Sequence, residues 1–120
     1  MRARVFEQIF FHVTGIGPAF GQLGFFKRQA SEQIPLAIAR FQAEAERTLG
    51  VFDAVLGQRE YAAGDAFTIA DVAHFGWLWR HDFVGLDLAN APHVARWFAA
   101  VSARPGVAKA VERVMALAPA

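Results

Sequence analysis

Cysteine is missing from all 120 residues, which removes disulfides, thiolate nucleophiles and soft metal ligands at once. Charge of one sign is equally scarce: 12 basic side chains against 11 acidic ones leave a formal +1. The basic residues are scattered and form no stripe of the kind that neutralises several phosphates, so nucleic acid is disfavoured as a partner. Strand signals are lacking as well, because no segment alternates with period two between turn residues. A signal peptide needs a basic start and then an unbroken apolar run, and Arg2, Arg4, Glu7 and Gln8 interrupt the first dozen residues. No stretch reads as the roughly eighteen apolar residues of a membrane span. These absences lead us to expect one soluble, cytoplasmic domain over residues 1–120, with neither nucleic acid nor membrane as partner.

Apolar and aromatic side chains are abundant. The chain is 55% hydrophobic with 12 phenylalanines, above the roughly 45–50% usual for soluble domains. That surplus implies apolar surface destined for a partner or another domain. Val5, Phe6, Ile9, Phe10 and Val13 recur at helical spacing, and the Gly15-Ile16-Gly17-Pro18 cluster is expected to stop that helix at about Val13. Ser31-Glu32 is expected to open a long helix with Pro35 in its first turn, buried along Ile34, Ile38, Phe41, Ala45, Leu49, Phe52 and Leu56. Thr68-Ile69-Ala70-Asp71 reads as a capping box, with Phe67 and Val72 at the spacing of a hydrophobic staple. The helix it opens, to about His81, is apolar nearly all round and is expected at the centre of the bundle. Asn90-Ala91-Pro92 starts a further helix with the stripe Val94, Trp97, Phe98 and Val101. Ala103-Arg104-Pro105 separates it from a last one carrying Val107, Val111, Val114 and Met115. Residues 116–120 are expected to fray. The fold class is all-α, a helical bundle of about five helices.

Few constellations carry chemistry. Glycines 15, 17 and 21 are one residue too long for a dinucleotide fingerprint and follow a helix, so the residues favour a tight connection that lets Phe20, Phe25 and Phe26 pack. Of the four histidines only His74 and His81 share a helix, seven residues apart, too far along its axis to hold one metal. Each is expected as a core or surface histidine, and no metal site is expected. Asp65 and Asp71 sit where a turn or a cap wants an acidic oxygen, so neither is assigned a catalytic role. Arg40, Glu44 and Arg47 read, from the residues alone, as a solvated ladder worth a few tenths of a kcal/mol.

Together, "YAAGDAFTIADVAHFGWLW" (61–79) and "ARPGVAKAVERV" (103–114) resemble the C-terminal helical domain of the glutathione transferase superfamily. "FFHVTGIGPAFGQLGFF" (10–26) followed by "QIPLAIARFQAEAERTLGVFDAVL" (33–56) is similar to the nu-class bacterial enzymes, related to the yeast prion-forming nitrogen regulator. The similarity runs over residues 2–115. It implies glutathione as co-substrate, with Arg40 contacting it, and a wall for an apolar electrophile or a glutathione disulfide built from Phe10, Phe11, Phe20, Phe25 and Phe26. It implies that the partner is a second copy of the chain in a homodimer or a separate thioredoxin-like domain. The superfamily's thiol-activating groups lie in that thioredoxin-like half, and none matches here. No catalytic residue is therefore assigned, and transferase or disulfide-reductase activity is expected only alongside such a half. The alternative is a non-catalytic interaction or dimerisation module with the same helical fold.

Overall fold

The computed structural model describes residues 1–118. Its helices are α1 (Arg2–Gln29), α2 (Pro35–Leu56), α3 (Ile69–Leu78), α4 (Pro92–Ser102) and α5 (Pro105–Leu117). Among the described residues there is no strand, only an isolated bridge between Tyr61 and Gly64. Five helices and no sheet match the expected fold class.

The expected break after Val13 does not occur. Residues 12–16 widen into a π-turn, in which the Gly17 N–H reaches back five residues to the His12 carbonyl. Pro18 has no N–H to give. It follows directly on this wide turn, where the regular ladder is already interrupted, so the helix passes through it. A second wide turn, Phe25–Gln29, ends the rod with the Ala30 N–H on the Phe25 carbonyl at 2.8 Å. A Cβ on Gly17 would stand a tight 3.1 Å from the His12 carbonyl oxygen, while one on Gly21 would make ordinary contact with the Trp77 indole of α3 at 3.4 Å. Joined in this way, the first 28 helical residues are long and apolar enough to cross a membrane by length and composition alone, which the separate stretches were not. In the fold this helix lays Ile16, Phe20 and Leu23, all 0% exposed, into the core.

The inward face of α1 also differs from the expected stripe. Gln8 is buried and Val5 and Ile9 half-buried, while Phe6, Phe10 and Val13 are 48%, 63% and 55% exposed. Both sets satisfy helical spacing, so periodicity alone does not choose between them.

α2 starts at Pro35, four residues later than expected. The residue before a proline is pushed to extended backbone, and Ile34 obeys with φ −116° and ψ 90°. From there Ala45, Leu49, Phe52 and Leu56 are buried, with Thr48 beside them, while Ile38 and Phe41 are only half-buried and Ile34, ahead of the helix, is 39% exposed against expectation. α2 and α4 cap one another. Asp53 Oδ1 accepts from the His93 and Val94 N–H groups at 2.9 and 3.0 Å, and so supplies the cap that Ala91 lacks. In return Arg96 donates to the Leu56, Arg59 and Glu60 carbonyls at 3.0–3.2 Å.

The capping box forms as expected. Thr68 Oγ1 accepts from the Ala70 N–H at 3.2 Å, and Asp71 Oδ2 accepts from the Thr68 N–H at 2.9 Å. α3 stops at Leu78 and is not buried all round, since Ile69 and Val72 are 64% and 56% exposed. α4 buries Val94, Trp97 and Val101. α5 buries no side chain fully, and its helix holds through Leu117 where fraying was expected. The rest of that expected tail, residues 119–120, lies outside the described residues.

Candidate functional site

Arg40 lies on the exposed face of α2 and, with Leu36, Phe41, Ala43, Glu44 and Arg47 of the same helix, lines an open cleft of about 420 Å³. The expected ladder resolves unequally. Arg47 grips Glu44 through two bonds, Nη2 to Oε1 at 2.6 Å and Nε to Oε2 at 2.9 Å. That hydrogen bond, more than the charges, lowers the Glu44 pKa and raises that of Arg47. Among the described residues Arg40 has no ion pair and no side-chain hydrogen bond. A free guanidinium above an apolar shelf suits a carboxylate-bearing ligand, because its fork takes both oxygens at once.

The five phenylalanines do not form one wall. Phe25 and Phe26 meet edge-on at 5.1 Å, and Phe26 stacks on Phe41, the neighbour of Arg40, at 5.7 Å and 8°. This pair borders the arginine end of the bundle. Phe10 is exposed and Phe11 packs against His74 at 5.8 Å, fifteen residues back and so about 22 Å away along the helix axis. Phe20 is 0% exposed inside the core. Its expected place on a pocket wall is corrected, because α1 continues as a helix through residue 20 and turns that side chain inward against α2. Phe20 and Arg40 therefore share no groove.

Two buried polar networks stand behind these surfaces. In the first, Asp71 is 0% exposed and accepts from Ala62 N–H at 2.9 Å, Thr68 N–H at 2.9 Å and Trp97 Nε1–H at 2.8 Å. It joins the loop after α2, the start of α3 and the middle of α4. Asp65 is exposed and pairs with nothing in this network. The second network joins α1 to α3. His74 Nε2 lies 3.1 Å from Gln8 Oε1, and His74 Nδ1 lies 3.2 Å from His12 Nδ1. For His74 to donate to the glutamine oxygen its Nδ1 must be bare, so His12 Nδ1 carries the hydrogen between the rings. Burial, and then the neighbouring His12, lower the His74 pKa to about 3. Burial lowers that of His12 too. The sequence did show Gln8 and His12 one turn apart, but nothing in it placed His74 opposite them. Among the described residues no group of three or more acidic, histidine or cysteine side chains is arranged to hold a metal.

A long α1 with two π-turns, a capping-box α3 packed against it, an α4 capped by Asp53 and a buried Asp71 make up the helical domain. The family model for the glutathione S-transferase C-terminal domain matches residues 21–105. The chain belongs to that family. The disulfide-bond oxidoreductase YfcG of Escherichia coli is 33% identical over 110 residues, covering 92% of this chain and 51% of that protein. A Pseudomonas fluorescens glutathione transferase family member, solved with two glutathione molecules bound, is 38% identical with a TM-score of 0.82, over 90% of this chain and 51% of the other. The nitrogen regulation fragment of the yeast prion protein Ure2p is 29% identical with a TM-score of 0.85, over 92% and 53%. The kinship to bacterial transferases and to the yeast regulator is the one the opening helices implied. The chain spans about half the length of these relatives.

Proposed function

We propose that this chain is the helical half of a glutathione-dependent transferase or disulfide-bond oxidoreductase. It works with a thioredoxin-like half and, as a homodimer in the cytoplasm, uses Arg40 to hold a carboxylate of glutathione or its disulfide. Phe25, Phe26 and Phe41 form the apolar shelf beside that contact. Phe10 and Phe11 belong to a separate stretch of α1, available to an apolar co-substrate. The observation that carries the reading is the division of charge on α2. Glu44 is spent on Arg47, which leaves Arg40 the free cation over a cleft in a family whose bacterial relative holds two glutathione molecules.

Calorimetry with oxidised glutathione tests it. The chain is expected to bind weakly, and Arg40→Ala to weaken binding by about tenfold or more, the net worth of a charge-assisted bidentate contact. Equal affinity in the variant removes Arg40 from the site. No binding at all, alongside tight self-association, favours the non-catalytic module instead. None of the described residues matches the superfamily's thiol-activating groups, so the chain alone is expected not to conjugate glutathione to an aryl halide. Turnover near that of complete enzymes would overturn the division of labour.

A further inference from the structure

Lys27 stands half-buried in the second wide turn of α1, and its amine meets only neutral acceptors. Nζ donates to Gln42 Oε1 of α2 at 2.7 Å and to the Val84 carbonyl at 3.1 Å. Among the described residues it has no ion pair. Gln42 in turn donates to Glu46 Oε1 at 2.7 Å, which leaves its amide oxygen to face the amine. Gln42 and Gly85 also belong to the wall of a cavity of about 410 Å³ between α2 and the turn that precedes α4, with Glu46, Asp87 and Asn90 along it. We propose that the Lys27 amine is a covalent modification site, which takes small neutral hydroxyaldehydes as an imine.

The hydrogen bonds suit an uncharged amine. An ammonium has three hydrogens to place, whereas a neutral amine has two, and the two acceptors here take both and leave the lone pair free. Burial, and then the charge of Arg28, lower the Lys27 pKa, with Glu46 pulling the other way. Arg28 is itself held in place, its Nε donating to the Phe83 carbonyl at 3.0 Å. Desolvation and a cationic neighbour are the ordinary means of making a lysine nucleophilic. Gly85 keeps the cavity side open. It has φ 73°, in the left-handed region that favours glycine, and a Cβ there would stand 3.0 Å from Nζ and cover it. Nζ attacks the aldehyde carbon and forms the C–N bond, the carbonyl oxygen leaves as water with the two amine hydrogens, and C=N remains. No oxidant or reductant is consumed. The carboxylates select the class of aldehyde. Glu46 and Asp87 accept hydrogen bonds from hydroxyl groups and favour an imine, which can carry a positive charge. They oppose an aldehyde that bears a carboxylate, and equally a carbamate, because either brings a like charge beside them.

The chain has two lysines, and Lys109, exposed on α5, is the internal reference. The test treats the chain at pH 7 with glycolaldehyde and cyanoborohydride, which reduces an imine to a stable secondary amine, and reads the label at each lysine by peptide mass spectrometry. Lys27 is expected to be labelled about tenfold faster than Lys109, although it is the less exposed of the two. Labelling of Lys27 no faster than Lys109 overturns the proposal. Gln42→Glu keeps the side-chain size but gives the amine a carboxylate partner, and is expected to bring the ratio of the two rates down to about one. An unchanged ratio in that variant, with its helical circular dichroism intact, overturns the proposal as well. With glyoxylate in place of glycolaldehyde the ratio in the unmodified chain is expected to fall about threefold or more. An equal ratio with both aldehydes shows that the cavity does not choose a neutral partner, and overturns the assignment of class.

Discussion

Acidification perturbs the histidine pair most directly. In the native core His74 stays uncharged, its pKa lowered from 6.5 to about 3 by burial and by His12. In the unfolded chain the same imidazole is in water and titrates near 6.5. Between those values the unfolded state takes a proton that the native state refuses. The contribution to stability is therefore complete above pH 6.5 and is lost progressively as pH falls toward 3. The slope is about 1.4 kcal/mol per pH unit, so the step from pH 7 to pH 5 removes about 2 kcal/mol. His12, lowered by burial, adds loss in the same direction. Model carboxylates titrate at about 4 and add little in that window. Urea unfolding followed by circular dichroism measures the effect. With a slope of roughly 1–3 kcal/mol per molar urea, the midpoint should fall by about 1 M between pH 7 and pH 5. His74→Phe removes the titrating ring and leaves Gln8 and His12 without partners, so it should be less stable at pH 7 yet flatter with pH. A midpoint that is level from pH 7 to pH 5 in the unmodified chain, or a His74→Phe protein with the full pH slope, refutes the reasoning.

Asp71→Asn keeps the size of the side chain but turns an NH₂ toward groups that are all donors, the Ala62 and Thr68 N–H and the Trp97 indole. It should cost about 3 kcal/mol or more in urea unfolding, and a loss under about 0.5 kcal/mol would show that the network is not rigid. Gly24→Ala puts a methyl 3.0 Å from Phe83 Cε1 and 3.2 Å from Val84 Cγ1, so thermal unfolding should show a loss of about 1–3 kcal/mol. Gly50→Ala and Gly76→Ala meet nothing within 4 Å inside helices, and each should instead gain up to about 1 kcal/mol. If all three shift alike, packing around Gly24 does not decide its identity.

The parts of the fold legible in the sequence were those set by strong local chemistry. Thr68 and Asp71 marked the start of α3 because side-chain oxygens there answer orphan N–H groups, and Pro92 and Pro105 marked the starts of α4 and α5. The first thirty residues misled for a local reason as well. Gly15, Gly17 and Pro18 carry the ordinary signals of a helix stop, and a π-turn that absorbs them has no residue signature of its own. The residues alone favoured packing for Phe20, and it was the resemblance that placed it on a pocket wall; the continuous helix commits it to the core. The arginine cleft was half legible. Arg40, Glu44 and Arg47 showed at helical spacing, but which arginine Glu44 would choose depends on side-chain geometry that spacing leaves open.

Apart from Thr48, which bonds the Ala45 carbonyl of its own helix, the buried polar side chains of this core form two separate networks that meet at one ring. Phe52 lies 4.2 Å from His74 and edge-on to Trp97 at 5.1 Å, while Trp97 donates to Asp71. Each polar group on its own is costly to bury, and each is satisfied only if the helices sit in one relative placement. Gln8 and His12 find His74 only when α1 lies across α3, and Asp71 finds Trp97 only when α4 lies against it. An apolar core of the same volume would tolerate sliding of α1 along α3, since Ile16, Phe20 and Leu23 gain as much from any apolar neighbour. The position of α1 fixes where Phe25 and Phe26 stand relative to Arg40. On this argument the histidine pair, without chemistry of its own, sets the register that places Phe25 and Phe26 against Phe41.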